Sequence, residues 1–73
     1  MTYAEALQLL ELFRERDYAQ GRPHLYIRSR KSDNWIRPKG VRIMASAQEV
    51  AIQDWETEEW ESIPFKEVDF GLW

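Results

Sequence analysis

At the start of the chain, apolar residues recur at helical spacing: Tyr3, Ala6, Leu7, Leu10 and Phe13 make one stripe. Thr2 and Glu5 stand three apart ahead of it, the spacing of a capping box, in which each side chain satisfies a backbone N–H left open by the first turn. Glu5 suits the positive end of the helix dipole, and Arg14 and Arg16 suit the negative end. The pattern predicts a helix from Thr2 to Asp17 or Tyr18, finished by Gly21 and Pro23.

From His24 the period falls to two. Leu25 and Ile27 alternate with Tyr26 and Arg28, which predicts a strand. Lys31 to Asn34 read as a turn, Trp35 and Ile36 as a short second strand, Pro38-Lys39-Gly40 as a second turn, and Val41 to Ile43 as a third strand. The exposed face of this meander is expected to collect Arg28, Arg30, Arg37 and Arg42, with Tyr26 or Trp35 nearby. Ser46 and Glu49 repeat the capping-box spacing ahead of Val50 and Ala51, which predicts a short second helix. Asp54 to Thr57 read as a further strand. Beyond Glu58 the apolar positions Trp60, Ile63, Phe65, Val68, Phe70 and Trp73 are scattered among acids, and Pro64 and Gly71 interrupt them. The expected architecture is α+β: an N-terminal helix packed on a small antiparallel sheet, a short second helix and an aromatic C-terminal extension. The expected division is an α+β domain over residues 1–57 and an acidic, aromatic extension over 58–73.

Composition narrows what such a chain can do. Its 73 residues allow one domain, and few chains this short enclose a water-free reaction pocket. A core of this size seldom supplies more than about 3–5 kcal/mol without reinforcement. The chain has no cysteine, which excludes disulfides and thiolate zinc sites, and the single histidine, His24, cannot build a nitrogen-rich metal site alone. Self-association is the reinforcement left, and ten aromatic side chains, four of them tryptophan, point the same way. A homo-oligomer is therefore expected. No apolar run has the length of a membrane span and the N-terminus has no signal-peptide pattern, so a cytoplasmic protein without membrane contact is expected.

The formal net charge of -3 conceals blocks. Residues 22–42 hold Arg22, Arg28, Arg30, Lys31, Arg37, Lys39 and Arg42 against Asp33 alone, whereas residues 43–73 hold eight acids against Lys66 alone. Mutual pairing of the two blocks is the simplest account of this arrangement.

His24 is the only conventional general base, and the serines fall in ordinary turn, strand or cap contexts, so no catalytic residues, cofactor or metal ligands are nominated. Binding chemistry is better represented. Arginine offers a planar donor fork matched to phosphate, and aromatic rings offer faces for bases. Arg28, Arg30, Arg37 and Lys39 are the candidate phosphate contacts, and Tyr26 and Trp35 the candidate stacking faces. The nearby acids would repel a long polyanion, so direct nucleic-acid binding is disfavoured relative to a small nucleotide in a cleft. A different use is open to the acidic aromatic C-terminal segment: carboxylates spaced along a surface can imitate DNA phosphates. Glu58, Glu59, Trp60, Phe65, Phe70 and Trp73 would then meet a bacterial defence nuclease or its complex, as in an anti-CRISPR inhibitor.

Two stretches carry a family likeness. Met1-Thr2-Tyr3-Ala4-Glu5-Ala6-Leu7 with Leu10, and Ala45-Ser46 followed by Glu49-Val50 and Asp54-Trp55-Glu56, resemble the Thoeris anti-defence sponge family of small phage proteins. The resemblance covers about a third of the chain. It implies an α+β homo-oligomer that sequesters cyclic nucleotide signals, such as cyclic ADP-ribose isomers or cyclic dinucleotides, near subunit interfaces without breaking a bond, in the host cytoplasm. Asp54 and Trp55 carry over by position, and Asp54 joins the candidate ligand residues. The family's Gly-Lys and Arg-x-x-Trp segment after the first helix has no match in Glu15 to Arg22.

Overall fold

The computed structural model describes residues 1–18 and 24–72, with side chains for 1–15 and 24–72. Gly21 and Pro23, expected to end the helix, and Trp73 lie outside the described residues. One helix, α1 (Tyr3–Tyr18), precedes five strands: β1 (Leu25–Ser29), β2 (Pro38–Met44), β3 (Glu49–Asp54), β4 (Trp60–Pro64) and β5 (Val68–Leu72). A 3-10 turn at Phe65–Glu67 joins the last two. The fold is α+β, with the helix packed against β1 and β2.

The capping box forms. Glu5 N–H donates to Thr2 Oγ1 and Thr2 N–H donates to Glu5 Oε1, both at 3.2 Å. The buried stripe of α1 is rotated from the expected one. Ala6 and Leu9 are fully buried and Leu10 and Phe13 pack at the core margin, while Tyr3 and Leu7 are exposed. Those four buried or packed positions fall at i, i+3, i+4 and i+7, one face of the helix.

The strands form two antiparallel sheets, β2-β3-β4 and β1-β5. Reciprocal backbone hydrogen bonds between Ile27 and Ile36, at 2.9 and 2.8 Å, make an isolated bridge beside β1, which is all that the expected Trp35-Ile36 strand contributes. Pro38-Lys39-Gly40, expected as a turn, opens β2 instead. The register shifts between Pro38 and Gly40, so these residues form an irregularity at the strand's start, a position that tolerates a proline without an N–H.

The expected second helix is absent among the described residues. Residues 45–48 make the tight connection of the β2–β3 hairpin, closed by Gln48 N–H on Ala45 O at 3.3 Å, and Glu49 pairs with Met44. Val50 and Ile52 face the core at a period of two, and that alternation outweighs the cap-like spacing of Ser46 and Glu49. Ala51 lies on the other face, opposite Arg42 and Ser62.

Asp54–Thr57 likewise is not a strand. Only Asp54 ends β3, and Trp55–Thr57 turn. Asp54 Oδ1 accepts the Glu56 N–H at 2.8 Å and Thr57 Oγ1 accepts the Glu59 N–H at 3.3 Å. These local side-chain bonds offer the backbone an alternative to a ladder. Glu58 then takes φ 62° in the left-handed region and brings the chain back into β4.

The segment expected as an extension is built into both sheets. β4 pairs with β3, and β5 pairs with β1 from Leu25↔Leu72 to Ser29↔Val68. Ile63, Phe65 and Val68 join Leu9, Ile27, Val50 and Ile52 in a single core. The Met1 ammonium donates to the Phe65 carbonyl at 2.6 Å, tying the N-terminus to the 3-10 turn. No described helix is long and apolar enough to cross a membrane.

Candidate functional site

The basic and acidic blocks meet in the fold. Arg28 on β1 bonds Asp69 Oδ2, directly across the sheet on β5, at 3.2 Å, and approaches Asp33 at 3.6 Å. Lys31 pairs with Glu67 at 2.7 Å, and Lys39 pairs with Glu58. The Glu67 carboxylate holds the Lys31 ammonium above its ordinary pKa, and the Lys39 ammonium holds the Glu58 carboxyl below its ordinary pKa. All four pairs reach water, so each adds little to stability.

The cations also seek aromatic faces. Arg28 lies 4.5 Å from the centre of the Trp35 ring, Arg37 5.3 Å and Lys39 5.9 Å from Trp55, and Arg42 4.8 Å from Trp60. The expected single basic face is thus divided into separate Arg–Trp pairs. Arg28 and Trp35 lie beside the β1-β5 sheet, while Arg42 and Trp60 lie on the outer face of β2-β3-β4. Trp60 reaches across Gln53 to Gly40, where an added Cβ would stand 2.9 Å from Trp60 Cη2.

Between the first two pairs lies a cleft of about 570 Å³. Tyr26 contributes from β1, Asn34, Trp35, Ile36 and Arg37 from the segment before β2, and Asp54, Trp55, Glu56 and Thr57 from the β3–β4 turn. Trp55 N–H donates to the Arg37 carbonyl at 3.0 Å, which fastens the last two contributions together. Its volume falls within the roughly 300–1,000 Å³ of small-molecule sites. An adjoining cleft of about 390 Å³ shares Asn34, Ile36, Asp54 and Thr57 with it and adds Glu59, Trp60 and Glu61.

Of the residues nominated for a ligand, Tyr26, Trp35, Arg37 and Asp54 line the larger cleft together. Arg28 and Lys39 do not line it; each is engaged by a carboxylate. Arg30 is exposed in the turn after β1. Arg37 makes no ion pair among the described residues and is the cation that the cleft retains. Asn34 and Thr57 escaped sequence reasoning, because turn residues of this kind carry no signal until the second wall is known.

The residues nominated for a protein partner are dispersed. Glu58, Glu59 and Trp60 lie together at the entry to β4, Phe65 is buried in the core, and Phe70 is on β5 in the other sheet. His24 is exposed just before β1. Among the described residues no group of three or more His, Asp or Glu is placed to hold a metal ion. No protein-family model, no curated protein and no solved structure matches this chain.

Proposed function

We propose that this chain is a phage-type anti-defence protein that binds a cyclic nucleotide second messenger and sequesters it without catalysis. The observation that carries the reading is the cleft that gathers Tyr26, Trp35, Arg37, Asp54 and Trp55. Two indole rings and a phenol offer stacking faces, each worth about 1–3 kcal/mol per base in comparable sites. Arg37 offers a donor fork that no carboxylate among the described residues occupies, suited to one phosphate. Asp54 and Glu56 in the same cleft disfavour a long polyanion and leave room for a small ligand that carries N–H donors as well as phosphate. The resemblance to the Thoeris anti-defence sponge family supports the same class of ligand. Removal of the ligand requires affinity alone, so no catalytic group enters the proposal.

The homo-oligomer belongs to this reading, supported by large apolar side chains exposed on α1, β2 and β5: Tyr3, Leu7, Met44, Phe70 and Leu72. Sedimentation at micromolar concentration is expected to give a mass above that of one chain, and a monomer throughout would remove oligomerisation from it. Calorimetry with cyclic ADP-ribose isomers and cyclic dinucleotides tests the binding itself. A Kd at or below about 1 µM, or about -8.2 kcal/mol, is expected for at least one of them. Absence of heat from all of them at micromolar protein contradicts the proposal.

A further inference from the structure

We infer that the cleft selects its base, and that the base is guanine, recognised along its N1–H and N2–H donors by the Asp54 carboxylate. The inference rests on the nucleotide reading and specifies which nucleotide.

Asp54 is the most firmly held polar group of the cleft. Its backbone N–H donates to Glu59 O at 3.0 Å, its carbonyl accepts Glu58 N–H at 2.9 Å, and its Oδ1 accepts Glu56 N–H at 2.8 Å. Backbone and side chain are therefore fixed together at the end of β3, and Oδ2 keeps its acceptor sites. Among the described residues no cation pairs with Asp54: Arg28 is on Asp69 and Asp33, and Lys39 is on Glu58. This half-buried carboxylate beside two indole rings is an acceptor that the cleft presents to a ligand's donors.

An ionised carboxylate only accepts, so it sorts bases by the donors on their Watson–Crick edges. Guanine presents two adjacent N–H donors, N1–H and N2–H, that match the two oxygens. Adenine and cytosine each place a ring acceptor beside their amino group, and that lone pair faces the carboxylate. Uracil flanks its one N–H with two carbonyls. With the base against Trp35 or Trp55 and its edge on Asp54, Arg37 is the cation of the cleft left to meet phosphate.

The test is calorimetry with cyclic di-GMP, cyclic GMP–AMP and cyclic di-AMP, which share charge and backbone and differ in base. The two guanine-containing ligands are expected to bind at least about tenfold more tightly than cyclic di-AMP, the scale of one bidentate base contact. Asp54→Asn is expected to bring the three within about twofold of one another, with its melting transition checking that the fold is retained. Equal affinities for the wild-type protein, or a preference for cyclic di-AMP, would overturn guanine selection and leave nucleotide binding standing. A guanine preference that survives Asp54→Asn would overturn the role of Asp54. Absence of binding by these three and by cyclic ADP-ribose would overturn the nucleotide reading along with the inference.

Discussion

At Gly40 the consequence of one methyl group can be derived from distances. A Cβ there would stand 2.9 Å from Trp60 Cη2 and 3.3 Å from Gln53 Oε1, so the indole must leave its place over the strand and loosen from Arg42. Gly40→Ala is expected to cost about 1 kcal/mol, in the lower range for overpacking because Trp60 is at a surface. Chemical denaturation of G40A, W60A and the double variant checks it: the two changes should be strongly non-additive, since the second removes the ring that the first displaces. Gln48 offers the opposite case. Its φ of 53° strains a residue with a Cβ, and Gln48→Gly is expected to raise stability by about 1 kcal/mol once glycine's larger unfolded-state entropy is subtracted. A fall in the denaturation midpoint of Q48G would count against that strain. Single side chains also decide where chemistry is legible. Trp35 and Arg37 stand out as candidate ligand groups by residue type and spacing, but their placement beside Asp54 and Trp55 depends on the Trp55–Arg37 backbone hydrogen bond, which no local pattern encodes.

Among the elements, α1 and β1 were legible because their signals are local. A capping box and a period of 3.6 mark the first, and alternation at Leu25 and Ile27 marks the second. Thr2→Ala removes the acceptor for Glu5 N–H and is expected to cost about 1 kcal/mol, read by thermal or chemical unfolding. The stretch from Ser46 to Ala51 was misleading for a physical reason: a cap spacing is satisfied by chance far more cheaply than two facing apolar alternations, Val41 with Ile43 and Val50 with Ile52, that bury a hairpin face. The β3–β4 turn carries a pH signature. Glu58 is held below its ordinary pKa by hydrogen bonding and Coulomb attraction from Lys39, so the stabilisation it contributes is present above the ordinary carboxylate range. It is lost as pH falls through the lowered value. Carboxyl resonances followed by NMR should show Glu58 titrating low in the wild type and at its ordinary value in Lys39→Met.

Across the whole molecule, the C-terminal segment was the least legible part. The partners of β5 lie on β1, from Leu25↔Leu72 to Ser29↔Val68, far back in the chain, and a strand whose ladder is that distant leaves only short apolar hints between acids. Ending the chain after Glu56 deletes β4 and β5 and the buried side chains of Ile63, Phe65 and Val68. The truncated chain is expected to lose cooperative unfolding by circular dichroism, because no small core survives that deletion. A cooperative transition in the truncated chain would mean that the first 56 residues hold a core of their own. Among the described aromatic side chains, Phe65 is buried in the core of the full chain and Phe13 packs at its margin, while Tyr26, Trp35 and Trp55 line the cleft. The central claim, that this cleft is the ligand site, is tested most directly by the indole N–H signals of the tryptophans in an NMR titration with cyclic GMP–AMP. Trp35 and Trp55 should shift on binding while Trp60, stacked on Arg42, stays in place; Trp35 and Trp55 signals that remain unmoved at saturating ligand would contradict the account.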